Sequence, residues 1–237
     1  MPASERERIA AEMEGALRRH VMDAWFPRCL AAQRGGYLCN FDRKWRPGSH
    51  QPILLEFQAR QTRTAARLAL ACPQDGGWAE YALHGFRFLR DVMWDAELGG
   101  WYWRMDSANQ PGAGATKHAH SGAYATQACA LVYQATGESA ALELAQEAFA
   151  WYDRYAHHPQ SPGYDGWLRR DGRVIRSIED VPAGTPSAED PLGHGIGLKD
   201  VNTNGDWFEA LSDFWLAAPS RKLEERLREF VSSTSQS

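Results

Sequence analysis

The chain has 237 residues, 43% hydrophobic and 24% charged, with 26 basic and 30 acidic side chains and a net charge of −4. That length buries a substantial core in one large domain or two small ones, and so even a charge balance argues against nucleic acid or an anionic membrane as partner. No stretch reaches the about 18 apolar residues of a membrane span, the charged start lacks a secretory pattern, and Cys29, Cys39, Cys72 and Cys129 fall at no metal-ligand spacing, so the expectation is a cytoplasmic protein with reduced thiols and no metal.

Helical periodicity dominates. Ser4 and Glu7 form a capping-box pattern ahead of a stripe of Ile9, Met13, Leu17, Val21 and Trp25, which ends by Pro27. A second helix is expected from Pro52 to Pro73, with Leu54, Phe57, Thr64, Leu68 and Ala71 on one face. A third runs from Trp78 to Trp94, with Ala82, Phe86, Leu89 and Met93 inward. A fourth spans Gly122 to Thr136 and stops at Gly137. A fifth follows from Ser139 to about His157, with Leu142, Ala145, Phe149 and Tyr152 inward. The sixth covers Asp206 to Ala217, and Ser220 caps a seventh carrying Leu223, Leu227 and Phe230. Residues 1–231 read as one domain, and the polar stretch 232–237 as a disordered tail.

Between helices lie three aromatic segments of one kind: Gly35-Gly36-Tyr37, Gly99-Gly100-Trp101 and Pro162-Gly163-Tyr164. Gly36 and Gly100 are 64 residues apart, Gly100 and Gly163 are 63 apart, and each interval holds two helices. This is the signature of tandem helical hairpins joined by short β connectors, which build an open solenoid or a closed toroid. The Pro/Gly-rich stretch from Val181 to Gly197 reads either as a linker or as a loop over a pocket, with His194 within it.

Several segments together resemble the N-acylglucosamine 2-epimerase family. They include Trp25-Phe26-Pro27-Arg28, Asn40-Phe41-Asp42, Leu55-Glu56-Phe57-Gln58-Ala59-Arg60-Gln61-Thr62, His84-Gly85-Phe86-Arg87-Phe88-Leu89, Lys117-His118-Ala119-His120, and Lys199-Asp200-Val201-Asn202 running into Phe208-Glu209-Ala210-Leu211. The resemblance implies an all-α (α/α)6 toroid, here incomplete at about seven helices, with short β-hairpin connectors and a central sugar pocket. It implies epimerisation or aldose–ketose isomerisation at carbon 2 of an aldose or N-acylhexosamine, without a cofactor. The family's later hairpins, which carry acid/base histidines, have no counterpart here. Its members often place histidine in the run matching Asn202-Thr203-Asn204-Gly205-Asp206, and a pocket tyrosine where His120 stands.

Chemistry at carbon 2 passes through an enediolate, so it needs proton-transfer groups and a cation or donors for the oxyanion. Arg60, a permanently charged fork, suits the oxyanion, and His120 suits proton transfer or sugar contact. Trp103, Trp101 and Tyr37 are candidate stacking platforms, and Lys117, His118, Asn202 and Asp206 complete the candidate substrate-binding set. His118 and His120 also stand at a metal-like i, i+2 spacing, but with no third ligand in view. Glu209 reads as a partner for an arginine. The alternative to an active enzyme is a catalytically inactive truncated relative that binds sugar or protein. An open half ring invites a cover, either a second copy or a completing chain.

Overall fold

A computed structural model describes residues 3–185, 193 and 195–234, which leaves His194 outside the described residues. Helix α1, Ala3–Leu17, passes through a π-helical segment, Arg18–Met22, into a last turn, Asp23–Trp25. Ser4 lies inside this helix rather than at its cap. The stripe expected to be core is largely bare, with Met13, Leu17 and Val21 all exposed. The helix is held mainly at its C-terminal end, by buried Met22, by Arg18 on Asp75 at 2.7 Å, and by Trp25 Nε1 on Gln61 at 2.7 Å.

Helix α2 is Leu55–Ala71, and it buries Leu55, Gln58, Ala59, Thr62, Ala65 and Ala66. This is not the face marked by Phe57, Thr64 and Leu68. Small side chains let neighbouring helices approach, and the polar ones are satisfied locally. Gln58 clamps the Tyr37 backbone, accepting from its N–H at 2.7 Å and donating to its carbonyl at 2.9 Å. Helix α3, Trp78–Phe88, runs on into a π-helical segment, Leu89–Met93, and buries Ala82, Phe86, Leu89 and Met93 as the spacing predicts. Helix α4, Ala119–Thr136, is buried on every side from Ala119 to Val132 and is capped by Gly137 at φ 74°. Helix α5 is Ser139–Tyr155.

Helix α6, Val201–Ala217, begins five residues earlier than periodicity indicates, because Asp200 caps it by accepting the Thr203 N–H at 2.6 Å. The run Asn202 to Asp206, which lies ahead of the expected helix start, therefore falls in its first two turns. Helix α7, Arg221–Thr234, is capped by Ser220, whose Oγ accepts the Leu223 N–H at 3.3 Å. It continues through the start of the stretch expected as a tail, and residues 235–237 lie outside the described set.

Helices α2, α4 and α6 pack side by side as an inner layer. Behind them stand α3, α5 and α7, each against the inner helix that precedes it. The connectors form two-stranded antiparallel ladders: β1 (Ile53–Leu54) with β2 (Arg104–Met105), β3 (Thr116–His118) with β6 (Trp167–Arg169), and β4 (His157–His158) with β5 (Ser161–Tyr164). The sequence repeat is a structural one. Tyr37 pairs with Leu30, Trp101 with Trp94 and Tyr164 with His157, always seven residues back. Gly36 (φ 66°) and Gly100 (φ 71°) need the left-handed backbone that glycine permits. A Cβ there would stand 2.8 Å from the Phe88 ring and 2.9 Å from the Trp151 ring, so each turn is latched under an aromatic of a later outer helix.

The tightest helix contact is at Gly85 of α3, where a Cβ would stand 2.1 Å from Thr62 Oγ1 and 2.5 Å from Tyr37 Oη. We expect Gly85→Ala to destabilise the fold by roughly 1–3 kcal/mol through overpacking, read as a lower urea midpoint.

Candidate active site

The inner layer carries a ladder of polar side chains at matched heights. Arg60 and Arg63 of α2 meet Tyr124 and Gln127 of α4, each pair 64 residues apart, which is the repeat length. Tyr124 and Gln127 in turn meet Asp206 and Glu209 of α6. In the first rung Arg60 donates to the Tyr124 hydroxyl at 2.7 Å, and that hydroxyl donates to Asp206 Oδ1 at 2.8 Å. Glu56, one turn before Arg60, holds the guanidinium at 3.1 Å. In the lower rungs Arg63 reaches Gln127 at 2.8 Å and Glu209 at 3.3 Å, and Arg67 reaches Asp213 at 2.7 Å. The α2 side of the wall is thus basic and the α6 side acidic.

His120 sits between the two. Its Nδ1 lies 2.6 Å from Asp206 and its Nε2 3.3 Å from Glu56, with the ring almost fully buried. Burial opposes the charged imidazole, but the adjacent carboxylates of Asp206 and Glu56 outweigh it and raise His120 to about 9. The His120 contact in turn lowers Glu56. At neutral pH the group is an imidazolium between two carboxylates, a proton donor rather than a base. Its raised pKa favours the fold fully below about 6.5, the value of a free imidazole, and that contribution is lost as pH climbs to about 9. We expect the stability advantage of wild type over His120→Gln to shrink by on the order of 2 kcal/mol across that window in denaturant titrations, a difference from which the titration of other groups cancels.

The remaining sequence-marked residues are placed elsewhere. Tyr37 and Trp101 are fully buried in connector packing, their side chains donating to the Tyr81 and Leu89 carbonyls. Lys117 is equally buried, 3.0 Å from Asp95 and bonded to the Gly99 carbonyl. His118 is buried at the α4 N-terminus, where its Nδ1 accepts the His120 N–H at 3.2 Å. Trp103 is half-buried beside the inner layer, its carbonyl accepting the Leu55 N–H at 3.0 Å. Asn202 is exposed on the first turn of α6. Asn204 clamps Tyr164 as Gln58 clamps Tyr37, its Oδ1 accepting the Tyr164 N–H at 2.7 Å. Glu209 pairs with Arg63 and Arg67. The structure therefore gathers Arg60, His120 and Asp206, and it adds Glu56 and Tyr124, which sequence reasoning missed. The repeat held one signal for Tyr124, which lies one full period after Arg60.

Among the described residues, no group of three or more His, Cys, Asp or Glu side chains is placed to hold a metal, and no helix is long and apolar enough to cross a membrane. Cavities of about 600 and 500 Å³ lie away from the ladder, one beside Tyr102, Arg170 and Pro182, the other behind α5, α6 and α7.

Cellobiose 2-epimerase of Ruminococcus albus is 38% identical over 147 residues, which cover 62% of this chain and 34% of that protein. Among solved structures, cellobiose 2-epimerase from Spirochaeta thermophila DSM 6192 shares the fold with a TM-score of 0.80 at 22% identity, over 97% of this chain and 54% of that one. A D-mannose isomerase does so at 0.72 and 18% identity, over 97% and 53%. The chain thus spans between a third and about half of these proteins, and what it forms is part of an (α/α)6 toroid. The profile of the N-acylglucosamine 2-epimerase (GlcNAc 2-epimerase) family matches residues 35–174, and the chain belongs to that family of sugar epimerases and isomerases.

Proposed function

We propose that the inner wall is the oxyanion-stabilising side of a site that epimerises or isomerises an open-chain aldose or N-acylhexosamine at carbon 2, in the cytoplasm and without a cofactor. A base takes the C2 proton, and the C–H electron pair becomes the C1–C2 double bond as negative charge moves onto O1. Return of a proton to the opposite face of C2 gives the epimer; where C2 carries a hydroxyl, transfer of its proton from O2 to O1 with protonation at C1 gives the ketose, a route closed to an N-acylhexosamine. The observation that carries this reading is Arg60, fixed by Glu56 and Tyr124 on the inner layer beside His120. Its guanidinium is half exposed and meets the enediolate oxygens, while imidazolium His120 supplies a proton. Trp103 and Asn202 border the sugar.

With His120 held protonated, no second imidazole stands among the described side chains of the ladder. That favours a second supplier of proton transfer, from a completing chain or a second copy, and it keeps sugar binding without turnover as the rival reading. Incubation with mannose, glucose, cellobiose or N-acetylmannosamine in deuterium oxide tests both. Deuterium entering C2 supports the enzyme. Sugar-dependent thermal stabilisation without exchange supports binding alone, and the absence of both would remove the sugar site.

A further inference from the structure

Tyr124 is the hub of the wall. Its hydroxyl joins Arg60 to Asp206, at 2.7 and 2.8 Å. Its ring lies beneath two cations, with the Arg60 and Arg63 guanidinium carbons 4.3 and 5.1 Å from the centroid. The His120 ring meets it edge-on at 5.2 Å. One buried side chain thus touches Arg60 and Arg63 from α2, His120 within α4, and Asp206 from α6. Burial first, then Asp206, pushes the phenol up to about 12, so the hydroxyl keeps its proton and donates to the carboxylate while accepting from the guanidinium.

We propose that Tyr124 is a positioning residue, resting on the sugar-site reading above: its ring and hydroxyl aim the Arg60 guanidinium at the enediolate oxygens and fix Asp206 against His120. Without the ring, Arg60 keeps only Glu56, one turn back on its own helix, and loses its bearing toward α4 and α6. Without the hydroxyl, Asp206 Oδ1 loses a donor and becomes a stronger acceptor for His120. The imidazolium should then hold its proton to higher pH.

Tyr124→Phe separates the two parts, because it keeps the ring and the packing volume. The full chain is labelled so that the Arg60 guanidinium and the His120 imidazole are followed by NMR. In the wild type the Arg60 Nη protons should be distinct. In Tyr124→Phe they should merge, and the His120 titration should move upward. A residue that served stability alone would lower the thermal midpoint and leave both signals in place, which would overturn the proposal. Binding of a sugar hydroxamate, a stable enediolate mimic, is measured in parallel. Wild-type binding that weakens about tenfold or more in Tyr124→Phe supports the catalytic purpose, and wild-type binding unchanged in the variant overturns it. If the wild type neither binds the hydroxamate nor exchanges the C2 proton, the sugar reading itself fails, and the NMR signals still decide whether Tyr124 orders Arg60.

Discussion

Arg60→Ala should lower exchange of the C2 proton by about 10²–10³-fold, the loss typical of removing one oxyanion donor, and leave the fold standing. Arg60 is 45% exposed, and its pair with Glu56 is an i, i+4 surface contact, worth roughly 0.3–0.5 kcal/mol. Its removal opens no cavity in the core. Arg60→Lys keeps the charge but not the planar fork, so it should recover only part of the rate. Exchange by Arg60→Ala at the wild-type rate would refute the role assigned to this residue.

Asp95→Ala should give the largest loss of stability, roughly 3–5 kcal/mol. Asp95 and Lys117 are both buried and 3.0 Å apart. Arg170 grips the same carboxylate at 2.8 and 3.0 Å, and the N–H groups of Glu97 and Leu98 donate to it. Burial works against the Asp95 charge, but Arg170 and Lys117 hold it well below the usual carboxylate range. Its contribution is therefore intact at neutral pH and lost only in strong acid. For Lys117, burial lowers the ammonium to about 8 against the pull of Asp95. Without Asp95, a buried lysine faces the Gly99 carbonyl and the faces of Trp151 and Tyr102 with no counter-ion. Asp95→Leu combined with Lys117→Met should recover much of the loss, since an apolar pair of similar size leaves no buried charge and half-exposed Arg170 keeps Glu97 at 2.7 Å. Urea midpoints of the three proteins check this, and a double variant as unstable as Asp95→Ala would contradict it.

The seven helices could be read from the sequence because large apolar residues recur at helical spacing along most of them. The errors share a cause. On α1 and α2 the large residues mark partly or wholly exposed faces, while α2 buries alanines and two polar residues that hydropathy discounts. The start of α6 was hidden by polar Asn202 to Asp206, whose helical state depends on the Asp200 cap. At the site, helix position and side-chain chemistry single out Arg60 and His120, the family resemblance strengthens both, and Asp206 rests on the resemblance alone. Tyr124 lies within a helix buried on all sides, where an aromatic reads as core. Only the contact between three helices reveals its hydroxyl. Lys117 and Trp101 are both fully buried, Lys117 against Asp95 and Trp101 with its indole on the Leu89 carbonyl.

The sequence of charges from α2 to α6 makes the inner surface a standing dipole that lies across the helices rather than along them. An uncharged sugar feels little net pull from such a field. If the proposed sugar is bound there and one of its oxygens gathers negative charge, one orientation should be favoured over its reverse, with that oxygen toward the arginines. The surface would then discriminate weakly among resting sugars and strongly in favour of the ionised one.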